Sequence, residues 1–141
     1  MQTSAHVDLA ILQDMAWLVS VDRHVPEQWV RRCIEQREYL VARSDERSVG
    51  VLRHSKFWGV IPFMDFIHVE PPLRRRGIGA MLLQEWEAAM RREGASMLMT
   101  SSMADELEPQ AWHQSNGFRP VGTLSLEPHQ STPEVFFSKS L

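Results

Sequence analysis

One segment in the middle of the chain constrains the fold more than any other, because a strand pattern, a loop with two glycines and a helix pattern follow each other directly. The stretch FWGVIPFMDFIHV, residues 57 to 69, is dense in aromatic and β-branched residues and predicts a strand ending near Val69, with Pro62 marking a bend, an edge position or its start. From Gly77 to Arg92, apolar residues recur at helical spacing. With a short strand predicted at Ser96 to Thr100, this order implies two parallel strands joined by a helical crossover.

Further helices and hairpins are predicted on both sides of this unit. A first helix is expected from about Val7 to Ser20, and Pro26 suits the first turn of a second helix. The other predicted elements are a hairpin at 39–42 and 48–52, a short helix at 109–116 and two final strands at 118–126 and 134–139. The elements add up to a mixed α/β (α+β) sheet. A length of 141 residues predicts one domain, spanning 1–141.

Net charge and hydropathy argue against nucleic acid and membrane as partners of this chain. A net charge of −3 does not provide the broad basic surface that nucleic-acid binding requires. The single cysteine, Cys33, falls in the apolar stripe of the second helix, which favours packed core over a nucleophile. The N-terminal sequence MQTSAHVDLAILQDMAW lacks a basic start, and no apolar run reaches the roughly 18 residues of a membrane span. We therefore expect a cytoplasmic protein with neither nucleic acid nor membrane as a partner.

The loop Arg74-Arg75-Arg76-Gly77-Ile78-Gly79 has the properties of an anion site. It opens the predicted long helix, whose first turn has free N–H groups and the positive end of the helix dipole. Glycines at 77 and 79 leave room for a phosphate beside the backbone. The loop lacks the lysine and Ser/Thr of a P-loop and the three glycines of a dinucleotide fingerprint. A pyrophosphate is therefore the predicted ligand.

Two motifs resemble those of the GCN5-related N-acetyltransferase (GNAT) superfamily. Val-x-Pro-x-x-Arg-x-x-Gly-Ile-Gly, from Val69 to Gly79, is similar to the acetyl-CoA signature of that family. Farther along, Trp-His-Gln-Ser-Asn-Gly-Phe, from Trp112 to Phe118, resembles the short helix and Gly-Phe pair that precede the sixth strand. The similarity covers roughly residues 38 to 126. It implies a splayed sheet of six to seven strands flanked by about four helices.

The resemblance also implies how a coenzyme would be held. Backbone groups near Ile67 and Val69 would pair with the pantetheine arm, and the thioester would lie where the sheet splays. Backbone N–H groups of the following loop would hold the pyrophosphate, from Arg74, Arg75, Arg76, Gly77, Ile78, Gly79 and Ala80. The implied cofactor is acetyl-CoA, used as a co-substrate without a metal, and the acetyl group would pass directly to an amine.

Two residues are candidates for proton transfer. His113 stands where many members of the family have a tyrosine that protonates the departing thiolate; it can act as an acid or serve packing alone. Asp65 interrupts an apolar run and is the best candidate base, with a surface role as the alternative. Strand alternation predicts that Asp65 shares a face with Ile67 and Val69.

The resulting hypothesis is an N-acetyltransferase acting on a primary amine, with a small molecule as the expected acceptor. The alternative is a module that binds acetyl-CoA but has lost catalysis, as a sensor or interaction protein. Four aromatic residues can line an acceptor pocket or belong to the core: Phe57, Trp58, Phe63 and Phe66. The resemblance also allows a homodimer, although no interface is indicated.

Overall fold

A mixed β-sheet lies at the centre of the protein, and the computed structural model describes it within residues 4–141 as a seven-stranded sheet. Its strands are β1 (His6–Leu9), β2 (Tyr39–Ser44), β3 (Arg47–Phe57), β4 (Ile61–Val69), β5 (Met97–Met103), β6 (Arg119–Leu124) and β7 (Glu134–Ser140). They lie in the order β1-β2-β3-β4-β5-β7-β6. The pair β4–β5 is parallel and every other pair is antiparallel. The predicted crossover is thereby confirmed.

Helices cover the two faces of the sheet unequally. Helices α1 (Met15–Val21) and α2 (Glu27–Glu35) pack on one face over β2, β3 and Phe66. Helix α3 (Ile78–Arg92) packs on the opposite face, and the core there also contains Phe118 and Phe137. Helix α4 (Leu107–Ser115) lies on the same side as α3, since its His113 ring contacts Phe137. These elements confirm the predicted α/β fold. None of the helices described between residues 4 and 141 is long and apolar enough to cross a membrane.

The N-terminal segment differs from its prediction. Residues His6–Leu9 form a strand rather than the start of a helix, and Val7 pairs with Ala42 of β2. The helix begins only at Met15, after a 3-10 turn over Leu12–Asp14. Apolar spacing in this segment suits a helix, but pairing with β2 satisfies its backbone groups and covers the edge of that strand.

The aromatic stretch at 57–69 is not one strand. Strand β3 extends to Phe57, and a tight turn leads into β4 at Ile61. Trp58 and Gly59 both have positive φ angles, of 58° and 70°, and Trp58 is 82% exposed. Glycine adopts such a conformation without steric cost, so Gly59 was the local signal for this turn.

Close packing places the first turn of α3 over the sheet. A Cβ atom on Gly50 of β3 would lie 3.2 Å from Ile78 Cγ2 and 3.2 Å from Leu82 Cδ1. Ile78 and Leu82 are both buried. Gly50 therefore allows the start of α3 to lie close to β3, a constraint that cannot be recognised from the sequence of either element alone.

Candidate active site

The central strands β4 and β5 separate partway along their length. They pair at only two positions, Phe63 with Met99 and Met64 with Thr100. At the second position the Thr100 hydroxyl donates a hydrogen bond of 2.9 Å to the Met64 carbonyl oxygen. Beyond these pairs the strands diverge and leave a gap that opens toward the carboxyl end of β4. The predicted splay is confirmed.

The strand register directs two peptide groups of β4 into this gap. Gly50 of β3 lies opposite Val69, and the Glu70 N–H bonds to the Val49 carbonyl at 2.9 Å. In an antiparallel ladder this pattern makes Gly50 and Val69 a non-hydrogen-bonded pair, so the N–H and C=O of Val69 point away from β3. Two residues earlier, Ile67 has the same orientation. Both residues therefore turn their backbone groups toward the missing neighbour.

The open end of the gap meets the first turn of α3. Gly77, with φ of 82°, is the N-cap of this helix, and the Met81 N–H bonds back to its carbonyl at 3.0 Å. The N–H groups of the residues between these two lie in the first turn, which has no intrahelical acceptor for them. A Cβ atom on Gly77 would meet nothing within 4 Å. The N-terminus of α3 is therefore accessible to an anion.

Arg74 joins this loop to the strand. Its Nε donates a hydrogen bond of 2.8 Å to the Val69 carbonyl oxygen, so the guanidinium fixes the turn that leads out of β4. Arg75 adopts a left-handed conformation, with φ of 64°. Arg74 thus has a structural role, in addition to the positive charge expected from the sequence.

Gly79, in the first turn of α3, lies in close contact with Trp112 of α4. A Cβ atom on Gly79 would lie 3.3 Å from Trp112 Cζ2 and 3.8 Å from Val69 Cγ2. The glycine therefore also allows α4 to approach the start of α3. The sequence of the loop indicates only phosphate access at Gly79, because the contact with Trp112 depends on tertiary packing.

Asp65 does not share a face with Ile67 and Val69, which corrects the prediction from alternation. Arg53 of β3 pairs with Phe66 and the next residue pairs with Met64, so Asp65 is the extra residue of a β-bulge. Ile67 and Val69 pack in the core beneath α3, whereas Asp65 borders a cavity of about 380 Å³ on the α2 side. A bulge shifts the alternation by one residue, and no pattern within β4 reveals it.

The surroundings of Asp65 favour its protonated form. Although the residue is exposed, neighbouring groups desolvate the carboxyl and raise its pKa above the ordinary value. The Ser55 hydroxyl donates a hydrogen bond of 2.6 Å to it, and the nearby Arg53 charge acts in the same direction; both oppose the rise without cancelling it. A carboxylate with a raised pKa is a stronger proton acceptor than one with an ordinary pKa.

His113 lies inside the protein rather than in the gap. Its residue is 4% exposed and its ring contacts Phe118 and Phe137. Burial lowers the pKa of His113 to about 4, although a hydrogen bond with the Ser101 backbone acts in the opposite direction. Within residues 4–141, its Nδ1 atom has no hydrogen-bond partner. The imidazole is therefore neutral at pH 7, which favours the packing role over that of an acid.

Cys33 also lies in the core, as its position in the apolar stripe predicted. It is 2% exposed, and burial raises the pKa of its thiol to about 11. A protonated, buried thiol is a poor nucleophile. Among residues 4–141, no group of three or more histidine, cysteine or acidic side chains could hold a metal ion.

The geometry above defines a class of protein. The sheet splays beside the N-terminus of a helix, and backbone groups of β4 face the gap without a neighbouring strand. Such a site suits an acyl-group carrier that has an extended arm and a pyrophosphate. That is the architecture of a coenzyme A-dependent acyltransferase. Residues 9–118 match the model of the acetyltransferase (GNAT) family, and the chain belongs to this family. It is thus an acetyl-CoA-dependent acetyltransferase.

Solved structures with the same fold have distant sequences. Ard1 from Thermoplasma volcanium superposes with a TM-score of 0.85 at 14% identity, covering 97% of each chain. Ribosomal-protein-alanine N-acetyltransferase from Brucella melitensis has a TM-score of 0.81 at 21% identity, covering 96% of this chain and 99% of its own. The acetyl-CoA complex of yncA from Salmonella typhimurium has a TM-score of 0.79 at 16% identity, covering 97% of this chain and 94% of its own. No curated protein sequence matches the chain.

Proposed function

We propose that this acetyltransferase transfers the acetyl group to a primary amine, and that the acceptor is a small molecule. The observation that carries the proposal is the gap between β4 and β5, which narrows at Met64, directly beside the bulge at Asp65. An amine that enters from the α2 side of the sheet would meet a proton acceptor next to the closed end of the gap.

In this proposal the chain holds the coenzyme mainly through its backbone. The peptide groups of Ile67 and the N–H of Val69 would pair with the pantetheine arm, as an added strand would, while the Val69 carbonyl oxygen already accepts a hydrogen bond from Arg74 Nε. The N–H groups from Arg74 to Ala80 would bind the pyrophosphate, assisted by the dipole of α3. When bound, acetyl-CoA supplies an activated acetyl thioester.

The residues around the gap suggest how protons move. A primary amine is mostly protonated at neutral pH, so it must lose a proton before its lone pair can attack a carbonyl. Asp65 would accept that proton, because its raised pKa makes it a better base than an aspartate of ordinary pKa. His113 would serve packing, and water would protonate the departing thiolate. Most of the rate enhancement would then come from holding the two substrates in line.

An enzyme assay tests this proposal against the alternative of a module that only binds the coenzyme. Release of free thiol from acetyl-CoA is measured across a panel of primary amines, for wild type and Asp65→Asn. We expect amine-dependent release by wild type and a loss of kcat/KM of about 10²-fold in the variant. Asp45→Asn is the matched control, since Asp45 lies in the exposed turn between β2 and β3.

If no turnover is found, a binding measurement distinguishes the proposed acetyltransferase from a module that only binds the coenzyme. Coenzyme A should raise the Tm, because a ligand that binds only the folded state stabilises it. ATP and NAD at the same concentration should raise the Tm less, since neither has a pantetheine arm. A coenzyme A-specific shift without thiol release from any amine would support the binding module and contradict the proposed activity.

A further inference from the structure

The cavity of about 380 Å³ beside Asp65 also has a buried arginine on its wall. Arg53 of β3 lines this cavity, although the residue is only 7% exposed. It lies opposite Phe66, the residue that follows Asp65, so the bulge brings the side chains of Arg53 and Asp65 to the same side of the sheet. A guanidinium and a carboxyl group therefore border one cavity.

The Arg53 guanidinium is held in position by the end of α1. Its Nε donates a hydrogen bond of 2.7 Å to Oδ2 of Asp22, and the Tyr39 hydroxyl donates one of 2.6 Å to the same oxygen. Asp22 and Tyr39 are both buried. Because the guanidinium is already fixed, its side chain loses little further freedom when it binds a ligand.

The terminal nitrogens of this guanidinium are open to a ligand. Within residues 4–141, Nη1 and Nη2 of Arg53 make no hydrogen bond, and neither atom is sealed from solvent. Their N–H donors form a planar fork that matches the two oxygens of a carboxylate. Since Arg53 lines the cavity, an anionic group that enters there can reach these donors.

Asp65 and Arg53 do not pair with each other. In the part of the chain that the structure describes, no N···O distance of 4.0 Å or less joins them, although their charges interact. The Asp65 carboxyl group accepts a hydrogen bond of 2.6 Å from the Ser55 hydroxyl and has further acceptor positions. The two groups thus complement a ligand that carries an amine and a carboxylate.

Two other cations at this cavity are less suited to binding an anion. Arg32 and Lys56 also line it, but both residues are exposed, and they already pair with Glu38 and Glu93 respectively. Hydrogen bonds from a charged donor to a carboxylate are stronger where water is excluded. We therefore expect the buried Arg53 to be the cation that recognises an anionic group.

We propose that the acceptor is an α-amino acid, whose carboxylate binds the terminal nitrogens of Arg53 while its amino group lies at Asp65. The amine that Asp65 deprotonates is then positioned by the contact with Arg53. An α-amino acid carries both groups on one carbon, which suits two side chains at neighbouring positions of paired strands. Its side chain would extend toward Trp29, at the α2 wall of the cavity. This inference rests on the proposed acetyl transfer to a primary amine.

Binding to the coenzyme A-saturated protein tests the inference without requiring turnover. A thermal-shift screen of the standard L-amino acids other than proline identifies the one that raises the Tm most. Isothermal titration then compares this amino acid with its α-amide and with its decarboxylated amine, both of which keep the amino group and the side chain. Wild type is compared with Arg53→Lys, which keeps a positive charge beside Asp22. The matched control is Arg47→Lys, because Arg47 is an exposed residue of the same strand.

We expect wild type to bind the amino acid at least about tenfold more tightly than the amide and the amine, because a hydrogen-bonded charge pair is lost with the carboxylate. Arg53→Lys should weaken binding of the amino acid about tenfold and leave that of the amine within about twofold, whereas Arg47→Lys should change neither. If Arg53→Lys does not fold, the three ligands compared in wild type decide alone.

Three results would overturn the inference: no Tm shift with any of the amino acids, equal affinities of the three ligands for wild type, or wild-type affinities in a folded Arg53→Lys. Acetylation of amines without any preference for a carboxylate would overturn the inference but leave the proposed function intact. Failure to bind coenzyme A would instead count against the proposed function.

Discussion

The Thr100 hydroxyl donates a hydrogen bond of 2.9 Å to the carbonyl oxygen of Met64, and both residues are buried where β4 and β5 separate. The backbone pairing between these strands ends at this position. The hydroxyl therefore strengthens the closed end of the gap, where two strands are held together by few other bonds.

Thr100→Val should lower the free energy of unfolding by about 1 kcal/mol, because it removes this buried hydrogen bond. Urea denaturation measures the loss. Thr123→Val is the control, since Thr123 lies on the exposed strand β6. A change no larger than that of the control would show that the hydroxyl does not hold the strands together.

Gly77→Glu should weaken coenzyme A binding at least tenfold, because it introduces a negative charge at the N-terminus of α3. Titration calorimetry measures the affinity. Gly94→Glu controls for backbone strain: Gly94 also has a positive φ, of 90°, and open space around its Cβ, but it follows the other end of the helix. Similar losses of affinity in both variants would remove the argument for an anion site at Gly77.

Gly50→Ala should destabilise the fold by about 1 to 3 kcal/mol, because the added methyl group overpacks the contact with Ile78 and Leu82. It should also weaken coenzyme A binding, since α3 must shift to relieve the contact. Gly122→Ala is the matched control in β6, where a Cβ would meet nothing within 4 Å. Wild-type stability and affinity in Gly50→Ala would refute the close-packing argument.

Acid should destabilise the protein through His113. The pKa of His113 is lowered from 6.5 to about 4 in the folded state, so the unfolded state binds more protons between these values. Stability is therefore fully present above pH 6.5 and falls by roughly 3 kcal/mol as the pH approaches 4. His113→Leu should flatten this part of the pH profile, whereas replacing the exposed His129 by glutamine should not. An unchanged slope in His113→Leu would assign the acid sensitivity to other groups.

The activity of His113→Phe separates packing from acid catalysis. If the neutral, buried imidazole only packs, kcat should stay within a few-fold of wild type and its dependence on pH should not change. If His113 is a general acid, the wild-type rate should fall at high pH, and the variant should lose about 10²-fold in kcat together with that high-pH fall. In that case His113→Tyr should restore much of the rate.

Much of the fold followed from patterns within contiguous residues. The long helix from Ile78, the loop before it and the strand that precedes the loop were visible as periodicity and glycine positions, because these features depend on nearest neighbours along the chain. The same holds for the family motifs, which lie within two short segments. Wrong predictions arose where local patterns were ambiguous, as at Val7, whose apolar spacing suits a helix although its partner strand makes it β-structure.

What the sequence alone determined is therefore the set of elements around the loop and the type of ligand that a helix N-terminus with two glycines accepts. The tertiary structure decided which groups face that ligand. Register with β3 turns the peptide groups of Ile67 and Val69 into the gap, and a bulge moves Asp65 to the other face. Burial keeps His113 neutral. Each of these depends on contacts between residues far apart in sequence, and such contacts exist only once the sheet has formed.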